Sequence, residues 1–131
     1  MKTLVVEDDF VSRLVLQKML MPFGICNIAV NGKEAVEAFT LAQSEGEPYD
    51  LICLDIMMPE MDGREALKII RQKEIELNIQ PLNETKIIMI TALDTPKDVI
   101  DAYYQGGCTS YLVKPINKDK IINAVKDLQL V

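Results

Sequence analysis

The chain alternates between two hydrophobic periods. Short runs that are apolar almost throughout are followed by longer segments with apolar residues three and four apart. The short runs predict strands at Thr3–Val6, Ile25–Val30, Leu51–Leu54, Lys86–Thr91 and Ser110–Val113. Continuous apolar runs of this kind suit parallel strands covered on both faces. The first helical segment carries Val11, Leu14, Val15 and Met19 and stops near Pro22-Phe23-Gly24. The second opens at Asn31-Gly32-Lys33-Glu34, a capping-box pattern, and lines up Ala35, Ala38, Phe39 and Ala42. The third opens in the same way at Asp62-Gly63-Arg64-Glu65 and continues through Ala66, Ile69 and Ile70. The fourth begins at Thr95-Pro96, a cap followed by proline in the first turn, and ends at Gly106-Gly107. The fifth starts near Asn117 and uses Ile121, Ile122, Val125 and Leu128.

Strand and helix thus alternate five times with short connections. With right-handed crossovers, this predicts an α/β fold: a doubly wound (βα)5, flavodoxin-like three-layer sandwich with a parallel sheet. The chain reads as one domain over residues 1–131, with no linker or low-complexity stretch. The polar stretches Gln43–Pro48 and Gln80–Thr85 read as surface loops.

Composition narrows the function. A formal charge of −6 argues against a domain that grips nucleic acid by its phosphates. No apolar run approaches the roughly 20 residues that span a bilayer, and the N-terminus lacks a signal-peptide layout. A cytoplasmic protein with no membrane partner is expected. The absence of histidine removes Ser-His-Asp triads, HExxH sites and phosphohistidine on this chain. Cys26, Cys53 and Cys108 form no CxxC pair and read as small hydrophobes.

In an open α/β sheet, ligands sit beyond the carboxyl ends of the strands. There the chain places Glu7-Asp8-Asp9 after the first strand, Asp55 after the third, Thr91 at the end of the fourth and Lys114-Pro115 after the fifth. Crowded carboxylates repel one another, and a divalent cation offsets that best. With only oxygen ligands on offer, magnesium is expected, with manganese as the alternative. A lysine beside such an ion can hold a phosphate oxygen, and a threonine hydroxyl can hold another. The set reads as an aspartate that attacks phosphorus. Asp9 reads more simply as the cap of the first helix. Asn31-Gly32-Lys33 lacks the frame of a phosphate loop and reads as a helix start.

Four segments, in order, resemble response-regulator receiver domains over essentially the whole chain. They are Leu4-Val5-Val6-Glu7-Asp8-Asp9, Leu54-Asp55-Ile56-Met57-Met58-Pro59-Glu60-Met61-Asp62-Gly63, Ile90-Thr91-Ala92 and Tyr111-Leu112-Val113-Lys114-Pro115. The resemblance implies strand order 2-1-3-4-5. It implies Asp55 as phosphoacceptor, magnesium held by Glu7, Asp8, Asp55 and the Met57 backbone carbonyl, and Asp8 as the more direct ligand of the acidic pair. Thr91 becomes the switch hydroxyl, Tyr111 the aromatic that turns with it, and Lys114 the phosphate contact before a cis Pro115. The donor would be a histidine kinase or a histidine phosphotransfer protein. The readout surface would be the fourth helix, fifth strand and fifth helix, from about Thr95 to Leu128, facing an unnamed downstream effector. The chain would be a monomer or a weak phosphorylation-dependent dimer. It would be a regulatory module rather than an enzyme, catalysing only its own phosphorylation and slow dephosphorylation. Met57 and Leu93 are apolar where relatives often carry polar residues, so neither orients an attacking water and a slow loss of the phosphoryl group is expected.

Three other readings compete. The stretch could be a receiver module of a hybrid kinase or larger regulator. A dehalogenase-like aspartyl phosphatase would need a second aspartate where Met57 stands. A flavin-binding module would need a Ser/Thr/Gly-rich loop where Glu7-Asp8-Asp9 stands.

Overall fold

The computed structural model describes residues 1–93 and 95–131, with side chains throughout these except Tyr104 and Gln105. The strands are β1 Thr3–Val6, β2 Cys26–Ala29, β3 Leu51–Leu54, β4 Lys86–Thr91 and β5 Ser110–Val113. The helices are α1 Phe10–Leu20, α2 Gly32–Ser44, α3 Gly63–Glu76, α4 Pro96–Asp101 and α5 Lys118–Asp127. All pairings are parallel and the sheet order is β2-β1-β3-β4-β5.

Period-two alternation divides the sheet residues between two cores. Leu4, Val6, Ile52, Leu54, Ile87 and Met89 face α2 and α3, where Ala35, Phe39, Ala66, Leu67 and Ile70 meet them. Val5, Leu51, Cys53, Ile88 and Ile90 face α1 and α5, where Leu16, Leu20, Ile121 and Val125 meet them. The central strands β1 and β3 are buried along their whole length, as continuous apolar runs require. As an edge strand, β2 is shorter than the expected Ile25–Val30, and Asn27 and Ile28 are exposed.

Side-chain oxygens cap the helices where the sequence pattern places them. Asp9 accepts from Ser12 N–H, Asn31 from Glu34, Asp62 from Glu65, Thr95 from Asp98 and Asn117 from Lys120. The fourth helix differs from its sequence reading. Its α-helical part ends at Asp101 and continues as a π-helical turn over Ala102–Gly106, closed by Gly107 at φ 78°. The left-handed turn falls at the expected glycine.

The first helix needs a correction. Its core contacts are Leu16 and Leu20, with Met19 packed alongside, whereas Val11, Leu14 and Val15 face outward. Two apolar sets share this helix, and a periodic pattern does not say which one meets the sheet.

On α3 a buried pair joins the helix to the amino ends of β4 and β5. Arg71 donates to Glu74 at 2.6 Å, to the Thr85 carbonyl at 2.8 Å and to the Gly107 carbonyl at 2.9 Å. Glu74 in turn accepts from Thr85 N–H at 2.8 Å. Among the described residues, no helix is long and apolar enough to cross a membrane.

Candidate phosphoacceptor site

Register builds the site. Val6 pairs with Leu54, so the next residues of the two strands, Glu7 and Asp55, lie side by side. Asp55 N–H donates to the Val6 carbonyl at 3.1 Å. Thr91 pairs with Val113, and Lys114 N–H donates to the Thr91 carbonyl at 2.8 Å. The β3–α3 turn closes tightly, with Gly63 N–H on the Ile56 carbonyl at 2.8 Å. A Cβ on Gly63 would overlap the Asp55 carbonyl oxygen, so only glycine lets α3 start this close to the strand end.

Carboxylate oxygens of Glu7, Asp8 and Asp55 lie within 4.8 Å of one another. Glu7 is 1% exposed and Asp55 is buried, while Asp8 lies exposed at the rim. The Lys114 ammonium donates to Asp55 Oδ2 at 2.9 Å and also to Glu7 Oε1. Thr91 is fully buried and its hydroxyl accepts from Leu93 N–H at 3.4 Å. Tyr111 donates its hydroxyl to the Leu93 carbonyl at 2.7 Å. Met57 N–H donates to Asp55 Oδ1 at 3.3 Å, and the Met57 side chain is exposed. The Lys114–Pro115 peptide is cis.

The electrostatics are those of a crowded acid pair. Burial pushes Glu7 up to about 7, reinforced by hydrogen bonding to Asp55 and by its charge, against the pull of Lys114. For Asp55 burial acts in the same upward sense. It is outweighed by hydrogen bonds from Glu7 and Lys114, by the lysine charge and by Thr91, so Asp55 sits below its ordinary range. Burial alone would lower Lys114, but its bonds to Glu7 and Asp55 raise it above the ordinary value. Burial and crowding thus favour the protonated form of Glu7, while the contacts of Asp55 favour its ionised form.

Glu7 Oε2 is buried, and no N–H or O–H donor among the described residues reaches it. A buried carboxylate oxygen in that position takes either a proton or a cation. The set contains oxygen donors only and opens at Asp8, which fits a hard divalent ion such as magnesium.

Most of the residues singled out from the sequence thus meet at one sheet edge: Glu7, Asp8, Asp55, Thr91 and Lys114, with Leu93 and Tyr111 behind Thr91. Asp9 stands apart, engaged in capping α1. Sequence reading passed over Arg13. Its guanidinium donates to the Glu7 carbonyl at 3.0 Å and the Asp8 carbonyl at 3.4 Å. A basic residue one helical turn beyond an acidic triplet was the available signal.

None of the three cysteines forms a disulfide. Cys53 and Cys108 are buried and Cys26 partly so, and burial pushes Cys26 and Cys108 each up to about 11.

Comparison with known proteins gives the family. The family model for the response regulator receiver domain matches residues 3–126. The chain belongs to that family and is a receiver domain of the two-component phosphorelay type. It is 35% identical to the chemotaxis protein CheY of Bacillus subtilis, covering 95% of this chain and 93% of the relative. Other relatives are longer: the chain covers 54% of a probable transcriptional regulator from Porphyra purpurea and 12% of probable histidine kinase 2 from rice. Among solved structures, it resembles the receiver domain of the Arabidopsis thaliana histidine kinase CKI1 complexed with Mg2+ and BeF3−. That match has a TM-score of 0.81 and 29% identity, over 99% of this chain and 90% of the other. It also resembles a chain of the Saccharomyces cerevisiae co-crystal of the phosphotransfer protein Ypd1 with the receiver domain of Ssk1. Here the TM-score is 0.82 and the identity 28%, over 97% of this chain and 87% of the other.

Proposed function

We propose that Asp55 accepts a phosphoryl group from a phosphohistidine donor and that the resulting change in charge switches the α4-β5-α5 surface. The observation that carries this reading is the Lys114 ammonium bridging Glu7 and Asp55 with Asp8 within metal-binding reach. Glu7, Asp8, Asp55 and the Met57 carbonyl would hold magnesium, or manganese in its place. That ion would neutralise charge on the phosphoryl oxygens.

The protein's own groups do the rest. Asp55 is held ionised, so one of its oxygens is available to attack phosphorus. A P–O bond forms as the donor's N–P bond breaks, and the imidazole leaves on the donor. Lys114 turns from the carboxylates to a phosphoryl oxygen, supplying a point charge. The Thr91 hydroxyl binds another. In doing so it leaves Leu93 N–H, which loosens the segment that Tyr111 grips through the Leu93 carbonyl. Because the phosphoryl oxygens are better satisfied in one arrangement than in the other, the equilibrium shifts. The domain is a regulatory phosphoacceptor, placed in the cytoplasm beside its donor. The readout stretch includes Tyr104 and Gln105, whose side chains lie outside those described.

A donor surface adjoins the site. A groove of about 440 Å³ between α1 and the β5–α5 turn is lined by Val11, Val15, Met19, Ile116 and Lys114. Lys114 thus belongs to both groove and site. An apolar partner face seated there would bring its histidine to Asp55, in keeping with a phosphotransfer protein or histidine kinase as partner.

The test is intact-mass analysis after treatment with acetyl phosphate. One phosphoryl group should be gained with Mg2+, and none with a chelator or in Asp55→Ala. Equal labelling of Asp55→Ala would overturn the assignment.

A further inference from the structure

Arg13 stands beside an acidic cluster yet, among the described residues, forms no ion pair with it. One guanidinium nitrogen instead donates to two successive main-chain carbonyls, Glu7 at 3.0 Å and Asp8 at 3.4 Å. The Phe10 ring lies under the guanidinium, 5.6 Å from carbon to centroid. The same turn is held independently at the start of α1. There Asp9 Oδ2 accepts from Ser12 N–H, and its carbonyl accepts from Arg13 N–H, both at 2.9 Å. Arg13 extends that hold backwards to the last residues before the helix. The planes of those peptides set the direction in which the Glu7 and Asp8 side chains leave the backbone.

We propose that Arg13 is a positioning residue of the metal site: by clamping the Glu7 and Asp8 carbonyls it presets their convergence with Asp55 and so strengthens magnesium binding. The inference rests on reading the acidic cluster as a magnesium site. Its physical content is a sign. As a bystander charge, a fixed cation near a bound cation repels it, so removing Arg13 would tighten magnesium binding. As a clamp, removing Arg13 frees the ligand loop and loosens binding.

The experiment is calorimetric titration of MgCl2 into the full chain. Arg13→Ala should bind magnesium about three- to tenfold more weakly than wild type, the equivalent of one lost hydrogen bond. Arg13→Met, which keeps the aliphatic stem and the helix, should show the same loss if the alanine variant fails to fold. Arg13→Lys should recover most of the affinity. Lys18→Met removes an exposed charge from the same helix and should not weaken binding. Asp8→Ala calibrates loss of a ligand. Magnesium binding by Arg13→Ala or Arg13→Met equal to or tighter than wild type would overturn the proposal while leaving the site reading intact. A wild-type chain that binds no magnesium would overturn both.

Discussion

Glu7 couples the acid pair to stability. Its value is about 7 in the fold against 4.5 for the free side chain, raised by burial first and by Asp55 next. Between those limits the folded domain keeps a proton that the unfolded chain has released. This contribution is therefore fully present below pH 4.5, falls as pH rises, and is lost above about 7. In chelator, the thermal midpoint of wild type should decline across that window. Glu7→Gln should flatten the decline, melt higher than wild type at pH 8 and bind no magnesium. Circular-dichroism melts against pH test this, and an undiminished slope in Glu7→Gln would count against it. At the rim, Met57 exposes its side chain and Leu93 is apolar, so neither orients a water. The phosphoryl group on Asp55 should be long-lived. Met57→Asn should shorten its lifetime by about tenfold by holding that water, as followed by loss of label from purified phosphorylated domain.

Among the elements, α3 links the carboxyl edge of the sheet to its amino edge. Its amino end rests on the Asp55 backbone through Gly63, and its last turns are tied to β4 and β5 by Arg71 and Glu74. Removing Glu74 leaves the largely buried Arg71 without its counter-ion and the Thr85 N–H without its acceptor. Glu74→Ala should cost about 3 kcal/mol in urea unfolding. A change below about 1 kcal/mol would mean that the pair is solvated in practice. Helix α1 shows what periodicity conveys and what it does not. Its existence and its cap at Asp9 were legible from the sequence, but its inward face was misjudged. Val11 is 64% and Val15 43% exposed, although both are aliphatic residues at helical spacing. An exposed apolar face carries the same residue types as a core.

For the whole molecule, the exposed α1 face and the phosphoacceptor edge form one continuous surface through Lys114. Small and macromolecular donors should therefore respond differently to a charge placed on the helix. Val15→Asp should leave labelling by acetyl phosphate within about twofold, while slowing transfer from a phosphohistidine protein by tenfold or more. Parallel rate measurements with the two donors check this. Equal slowing of both would place the defect in the site rather than in docking.

By itself, the sequence determined the βα alternation, the helix caps at Asn31, Asp62, Thr95 and Asn117, and the presence of acids, a threonine and a lysine at strand ends. These are local properties, set by hydrogen bonding within a few residues and by the period of apolar positions. The tertiary structure alone decided which faces are inside, because burial depends on what an element packs against. It made β2 an edge strand, turned Leu16 and Leu20 inward instead of Val11 and Val15, and brought Arg13 onto the carbonyls of Glu7 and Asp8. It also decided the protonation within the acid cluster. Glu7 and Asp55 are similar acids in the sequence, and only burial, an adjoining carboxylate and the reach of Lys114 drive their ionisation apart.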